Sequence, residues 1–126
     1  MNNVALVINN AGQIAGISDL SGDTNPTPEC ADVPGTRAVL WQNGAIINLG
    51  TLPRDCLSSA SDINARGQVV GVSCDDSFSC RAFLWDHGVM MDLNSLIPSG
   101  SPLYLTFGSG IMAAGPAIRC CGCRRD

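Results

Sequence analysis

Aromatic residues, basic residues and long apolar runs are all scarce in this chain, and each shortage removes a class of protein. Aromatics make up 5% of its 126 residues, while 14 are Gly and 7 are Pro. A core must therefore be assembled from Val, Ile, Leu and Ala on short elements separated by many turns, a profile that favours an all-β fold. Seven Lys+Arg stand against 11 Asp+Glu, for a net charge of −4. Apart from Arg124 and Arg125 the positive residues are scattered, so no basic face gathers phosphates and nucleic acid is not expected as a partner. The longest apolar stretches run four or five residues, against the ~20 needed to cross a bilayer, so no membrane is expected either. Met1-Asn2-Asn3 lacks the charged start of a signal peptide, and the chain reads as soluble with no export signal. No Gly-x-Ser-x-Gly elbow, phosphate loop or His-Glu-x-x-His is present, and no segment carries a helical period.

What is present is repetition. Ile8-Asn9-Asn10-Ala11-Gly12-Gln13-Ile14-Ala15-Gly16-Ile17-Ser18 aligns with Ile63-Asn64-Ala65-Arg66-Gly67-Gln68-Val69-Val70-Gly71-Val72-Ser73, with six of eleven positions identical and two more exchanging Ile for Val. Arg37-Ala38-Val39-Leu40-Trp41-Gln42-Asn43-Gly44 aligns in the same way with Arg81-Ala82-Phe83-Leu84-Trp85-Asp86-His87-Gly88. The first offset is 55 and the second 44, and the 11-residue difference falls wholly between Asp19 and Thr36, as expected of a surface-loop insertion. Each copy reads as strand, loop, strand, tight turn, strand. Asn-x-x-Gly supplies one turn, and Asn43-Gly44 or His87-Gly88 supplies a two-residue hairpin needing positive φ. Gly16 and Gly71 admit a neighbouring backbone. The copies span 1–52 and 53–98, and 99–126 begins a third with a divergent, Cys- and Arg-rich tail.

The pattern Ile-Asn-x-x-Gly-Gln-φ-φ-Gly-φ-Ser, then Arg-Ala-φ-Leu-Trp-x-x-Gly, then Asp/Asn-Leu-Gly/Asn-Thr/Ser-Leu, resembles the HAF repeats of bacterial, extracellular-type proteins over residues 4 to 107. The resemblance implies antiparallel β-repeats of propeller-blade type and brings no catalytic residues. The third copy departs from it: where Asn-x-x-Gly-Gln is expected the chain has Met112-Ala113-Ala114-Gly115-Pro116. From there the composition shifts to that of a GC-rich gene read out of frame. One blade cannot bury both of its faces, so the expectation is a closed homo-oligomer that completes the array, the unpaired end of one chain lying against the exposed first blade of the next.

Chemistry could reside in few places. Cys120, Cys121 and Cys123 place three thiols within four residues, a candidate Zn²⁺ site, with His87 as a further ligand. His87 is the only histidine. It matches Asn43, so it reads first as a hairpin residue, and alternatively as a general base flanked by Asp86. Cys74–Cys80 and Cys30–Cys56 are candidate disulfides, the alternative for all four being reduced thiols; the first would contribute roughly 2 kcal/mol by loop closure. With seven cysteines, at least one lacks an intrachain disulfide partner. Trp41 and Trp85 read as packing residues before they read as platforms for a sugar or drug-like ligand. Two functions follow. One is a homo-oligomerising structural or binding module, with a possible zinc site in its tail. The other is a small zinc-dependent hydrolase of activated esters or phosphate esters, using a metal-bound water at a subunit junction with His87 and Asp86 as catalytic residues. Only the second needs a small-molecule substrate.

Overall fold

The computed structural model describes residues 3–19, 30 and 35–96, together with the course of four strand segments, 103–104, 107–111, 118–121 and 124–125. It is all-β. The first sheet is an antiparallel meander of β1 (Asn3–Ile8), β2 (Ile14–Asp19), β3 (Thr36–Gln42) and β4 (Ala45–Gly50). The second repeats it with β5 (Leu57–Ile63), β6 (Val69–Cys74), β7 (Cys80–Asp86) and β8 (Val89–Asp92), followed by a 3₁₀ turn, Leu93–Leu96. Two short pairs follow, β10 (Phe107–Ile111) with β11 (Ile118–Cys121), and β9 (Leu103–Tyr104) with β12 (Arg124–Arg125). The sheets are open; neither closes on itself. Among the described residues no helix is long and apolar enough to cross a membrane.

Each four-stranded sheet opens with a strand, β1 or β5, ahead of the Asn-x-x-Gly turn. Asn9 explains why the chain reverses there. Its Oδ1 accepts the Ala11 and Gln13 amides at 3.1 and 2.9 Å, its Nδ2 donates to Gln13 Oε1 at 2.7 Å, and Gly12 takes φ +80°. Asn64 makes the same set with Arg66, Gln68 and Gly67. This is an Asx turn, in which the side chain stands in for a backbone partner. Asn9 Nδ2 also donates to the Asn64 carbonyl at 3.0 Å, so the first turn is tied to the second.

The opening hairpin of each copy, β1–β2, β5–β6 and β10–β11, carries the same irregularity. Register slips by a residue between Ala5 and Val7, between Ala60 and Asp62, and between Gly108 and Gly110. Opposite the slip stand Gly16 and Gly71, where an added Cβ would run into the carbonyls of Val4 and Ser59. Glycine is required there because a bulged strand crowds its partner. The same row of the third hairpin, opposite Gly108, holds Cys120. The third copy thus keeps the repeat's hairpin and register while lacking the glycine.

The sheets stack face to face. Ala15, Ala38, Leu40 and Leu49 of the first form one cluster with Ala60, Ile63, Val69, Phe83 and Trp85 of the second. Because strand residues alternate between faces, Val70, Ala82 and Leu84 lie on the other side of the second sheet, in a cluster with Leu93 and Met91. The second sheet's first face is filled by the first sheet, so β10, which runs along β5, β6 and β7, covers this other side. One stacking arrangement therefore recurs: β5 lies on β1, β2 and β3 as β10 lies on β5, β6 and β7.

Candidate functional site

Polar groups at the seam between the sheets are satisfied among themselves. Ser58 Oγ donates to the Gly50 carbonyl at 2.6 Å and accepts the Ala38 amide at 2.9 Å. Ser73 Oγ donates to Asp55 Oδ2 at 2.6 Å and accepts the Leu52 amide at 2.9 Å. Arg81 pairs with Asp55 at 3.1 Å and Asp92 at 3.4 Å, and donates to the Pro53 carbonyl at 2.8 Å. Arg37, its counterpart in the first copy, donates to the Cys56 carbonyl at 2.6 Å. The two motif arginines thus hold the connecting segment from both sheets. Ser73 is fully buried with both hydrogen-bonding roles in use, so the Ser73–Asp55 pair fixes the seam and offers no nucleophile. The signal for this seam was the arginine that opens Arg-Ala-φ-Leu-Trp in both copies, together with the Ser73 that closes the matched Gly-φ-Ser; Asp55 and Ser58 carried none.

Cys30 is bonded to Cys56, with Cα atoms 5.3 Å apart, and Cys74 to Cys80, with Cα atoms 4.1 Å apart. Of the alternatives left open for these four, the disulfides are the ones formed. Cys74 and Cys80 face one another in register across β6 and β7, so the bridge closes the loop 75–79. That loop reuses the Asx turn. Asp75 Oδ1 accepts the Ser77 and Ser79 amides, both at 2.9 Å, and Phe78 takes the position of Gly12 and Gly67 at φ +59°.

His87 occupies the β7–β8 turn at φ +46°, followed by Gly88 at +96°, as Asn43 and Gly44 occupy the β3–β4 turn at +51° and +76°. Its side chain is 77% exposed and hydrogen-bonded to Asp86. That bond, with a second from Gln68 Nε2 at 3.1 Å, holds the Asp86 carboxyl below its usual range. His87 and Asp86 are therefore brought together, on an open turn. Cys120 and Cys121 lie in β11, in the rows of Gly71 and Val72, and Cys123 falls outside the described residues. Among the described residues no group of three or more His, Cys, Asp or Glu is arranged to hold a metal ion, so His87 and Asp86 by themselves fall short of the three protein ligands of a catalytic zinc.

One surface stands out because the repeat supplies its own control. Ile8, Ile14, Trp41 and Ile46 pair in turn across β1, β2, β3 and β4, forming a single row on one face of the first sheet. The corresponding row of the second sheet is Ile63, Val69, Trp85 and Met90. Trp85 and its neighbours are packed between the sheets, as expected of both tryptophans. In the first sheet Ile8 is 64% and Ile46 46% exposed, and Ile14 and Trp41 are partly exposed. Trp41 has the row of a packing residue and, among the described residues, no sheet packed over it. Comparison with known proteins returned no matching family model, no matching curated protein and no matching solved structure.

Proposed function

We propose that this chain is a β-repeat module of propeller-blade type whose function is binding through its sheet faces, and that it assembles as a closed homo-oligomer. One observation carries the reading. The stacking that buries Ile63 to 6% exposure recurs between the second sheet and β10, while Ile8, in the same repeat position, is 64% exposed. An apolar face built to the same pattern as a buried one is a face built to be covered. The HAF-like motifs support the same reading, since the residues they share are those forming the Asx turns, the crowded glycine row and the seam arginines. Two disulfides in so short a chain fit an oxidising, extracellular-type environment. Zinc-dependent hydrolysis gains no comparable support, because His87 sits in an open turn with one carboxylate beside it.

Size-exclusion chromatography with light scattering on the oxidised protein tests assembly directly. The expected mass is a whole multiple of the single chain, holding across a tenfold dilution. A single-chain mass at every concentration overturns the reading.

A further inference from the structure

We infer that the Cys74–Cys80 disulfide is a redox-sensitive clamp on the joint between the sheets: a dithiol reductant opens it ahead of Cys30–Cys56, and its opening loosens the connecting segment. The inference is independent of how the chain assembles. The two bridges sit in different surroundings. Cys30 and Cys56 are both fully buried, so a reductant reaches their sulfurs only when the chain around them opens. Cys80 is partly exposed, at the end of the exposed run 76–79. Access of an attacking thiolate decides which bridge exchanges, and an exposed disulfide is the labile one. The Cys74–Cys80 bridge also closes the shorter loop, with a sequence separation of 6 against 26, so the fold depends on it less. The loop keeps its shape without it. Asp75 Oδ1 holds the Ser77 and Ser79 amides, and the Asp75 amide donates to the Ser79 carbonyl at 3.0 Å.

What the bridge controls follows from its place in the register. Cys74 faces Cys80, and in the next row Ser73 faces Arg81. Ser73 Oγ and Arg81 Nη2 both bind one atom, Asp55 Oδ2, at 2.6 and 3.1 Å. Side chains from two strands share one carboxylate oxygen only while the strands keep their spacing, and a covalent bond one row away fixes that spacing. The Cys74 carbonyl also accepts the Cys56 amide at 2.7 Å. The first sheet supplies the contrast. There Ser18 faces Arg37, the next row is Asp19 and Thr36, which form no bridge, and Ser18 donates to Asn3 while Arg37 donates to the Cys56 carbonyl.

Opening takes two exchanges. One thiolate of the dithiol attacks Cys80 Sγ; the bond to Cys74 breaks, and its electron pair leaves on Cys74 Sγ, which takes up a proton. The second thiolate attacks the reductant's own sulfur in this mixed disulfide. Cys80 Sγ leaves with the electron pair and takes the other proton, and the reductant closes into a cyclic disulfide. The dithiol is thereby oxidised by two electrons and the bridge reduced by two. The Phe78 carbonyl, 3.4 Å from Cys80 Sγ, is in place to accept the new S–H.

The test is a titration of the oxidised full chain with dithiothreitol, trapped by alkylation and mapped by peptide mass spectrometry, with amide hydrogen exchange measured before and after Cys74–Cys80 opens. Cys74 and Cys80 should become alkylated at a dithiothreitol concentration at least about tenfold below the one that exposes Cys30 and Cys56. Exchange should then quicken about tenfold at Leu52 and Cys56, whose amides donate to Ser73 Oγ and the Cys74 carbonyl. The Ala38 amide, which donates to Ser58 Oγ, should be unchanged. A full-length variant carrying Cys74→Ser with Cys80→Ser should show the same pattern with no reductant; if it does not fold, the wild-type series decides alone. Opening of both bridges together, or of Cys30–Cys56 first, overturns the assignment of the sensitive bond. Selective opening with Leu52 and Cys56 unchanged overturns the clamp, as does a folded variant that exchanges like the oxidised wild type. Equal quickening at Ala38 also overturns it, since the whole fold would then be loosening.

Discussion

The first and second sheets have the same strand order, the same Asx turn and the same register slip opposite a glycine, yet they place identical residues in opposite environments. Ile8 and Ile63 occupy one repeat position, and their exposures are 64% and 6%. Nothing local distinguishes them: each ends its strand, precedes an Asn-x-x-Gly turn and pairs with a β-branched residue, Ile14 or Val69. Among the described residues, the difference lies in what is stacked outside the row. Burying an isoleucine contributes roughly 1.5–3 kcal/mol, and in a stacked repeat that contribution belongs to an interface between units, so a unit at the edge of a stack forgoes it.

Truncating the two isoleucines should give the largest contrast. Ile63→Ala leaves a hole among Ala60, Val69 and Trp85 and should cost about 4 kcal/mol in urea denaturation. Ile8→Ala, measured where the protein is a single chain, should cost less than about 0.5 kcal/mol. Similar losses at both positions would mean that the first sheet's outer row is already packed, and the contrast between the sheets would disappear.

The glycine row should show the opposite, a similarity. Gly71→Ala drives a Cβ into the Ser59 carbonyl and toward Phe83, and Gly16→Ala drives one into the Val4 carbonyl. Each should destabilise by roughly 3 kcal/mol, because a backbone carbonyl held in a bulge cannot step aside as a side-chain end can. In the third hairpin Cys120 occupies this row. If Gly16→Ala were silent while Gly71→Ala was costly, the first sheet would be looser than the second in its strand pairing as well as in its packing.

Much of this was legible in the sequence because the same residues appear twice for the same local reasons. Asn9 and Asn64 build the turns their spacing implied, Asn43 and His87 take positive φ in the hairpins, and Gly16 and Gly71 are where a backbone approaches. What was not legible depends on neighbours. Trp41 and Trp85 stand in matched motifs, and only the stacking separates a partly exposed tryptophan from a buried one. Asp55 was equally silent, since a lone acidic residue after a proline looks like any solvated turn. Its partners Ser73 and Arg81 are 18 and 26 residues away in the chain. The candidate site shows the same division: His87 was readable as a turn residue, whereas the outer row of the first sheet emerged only when the two sheets were compared.

A smaller effect is expected where the second sheet departs from the first in its turn chemistry. The loop 75–79 uses the Asx geometry of Asn9 and Asn64 but puts Phe78 where they put glycine. A bulky residue at φ +59° carries a local penalty of about 1–2 kcal/mol, and Phe78 at 68% exposure recovers little of it by burial. Phe78→Gly should therefore stabilise the oxidised protein by about 1 kcal/mol in urea, net of the extra freedom glycine brings to the unfolded chain. A loss of stability would show instead that the Phe78 ring is held by contacts worth more than its strain.

The smallest effect concerns the β-turns that close the two sheets. In the first, Gln13 Nε2 donates to Gln42 at 2.6 Å; in the second, Gln68 Nε2 donates to Asp86, which His87 also engages. Only the second turn contains a group that titrates in acid. The Asp86 carboxyl is held below its usual range chiefly by the His87 hydrogen bond and secondarily by Gln68. A carboxyl whose pKa is lower folded than unfolded stabilises the fold above the unfolded value, and that contribution is lost as the pH falls through the lower, folded value. His87→Asn recreates the residue found in the first sheet's turn and removes the principal cause. The ¹³C titration of the Asp86 carboxyl should then move up toward the ordinary aspartate range, with little change in melting temperature at neutral pH because the pair is open to solvent. An unmoved titration would assign the depression to Gln68 instead, and the two turns would then differ only in whether that glutamine faces an amide or a carboxylate.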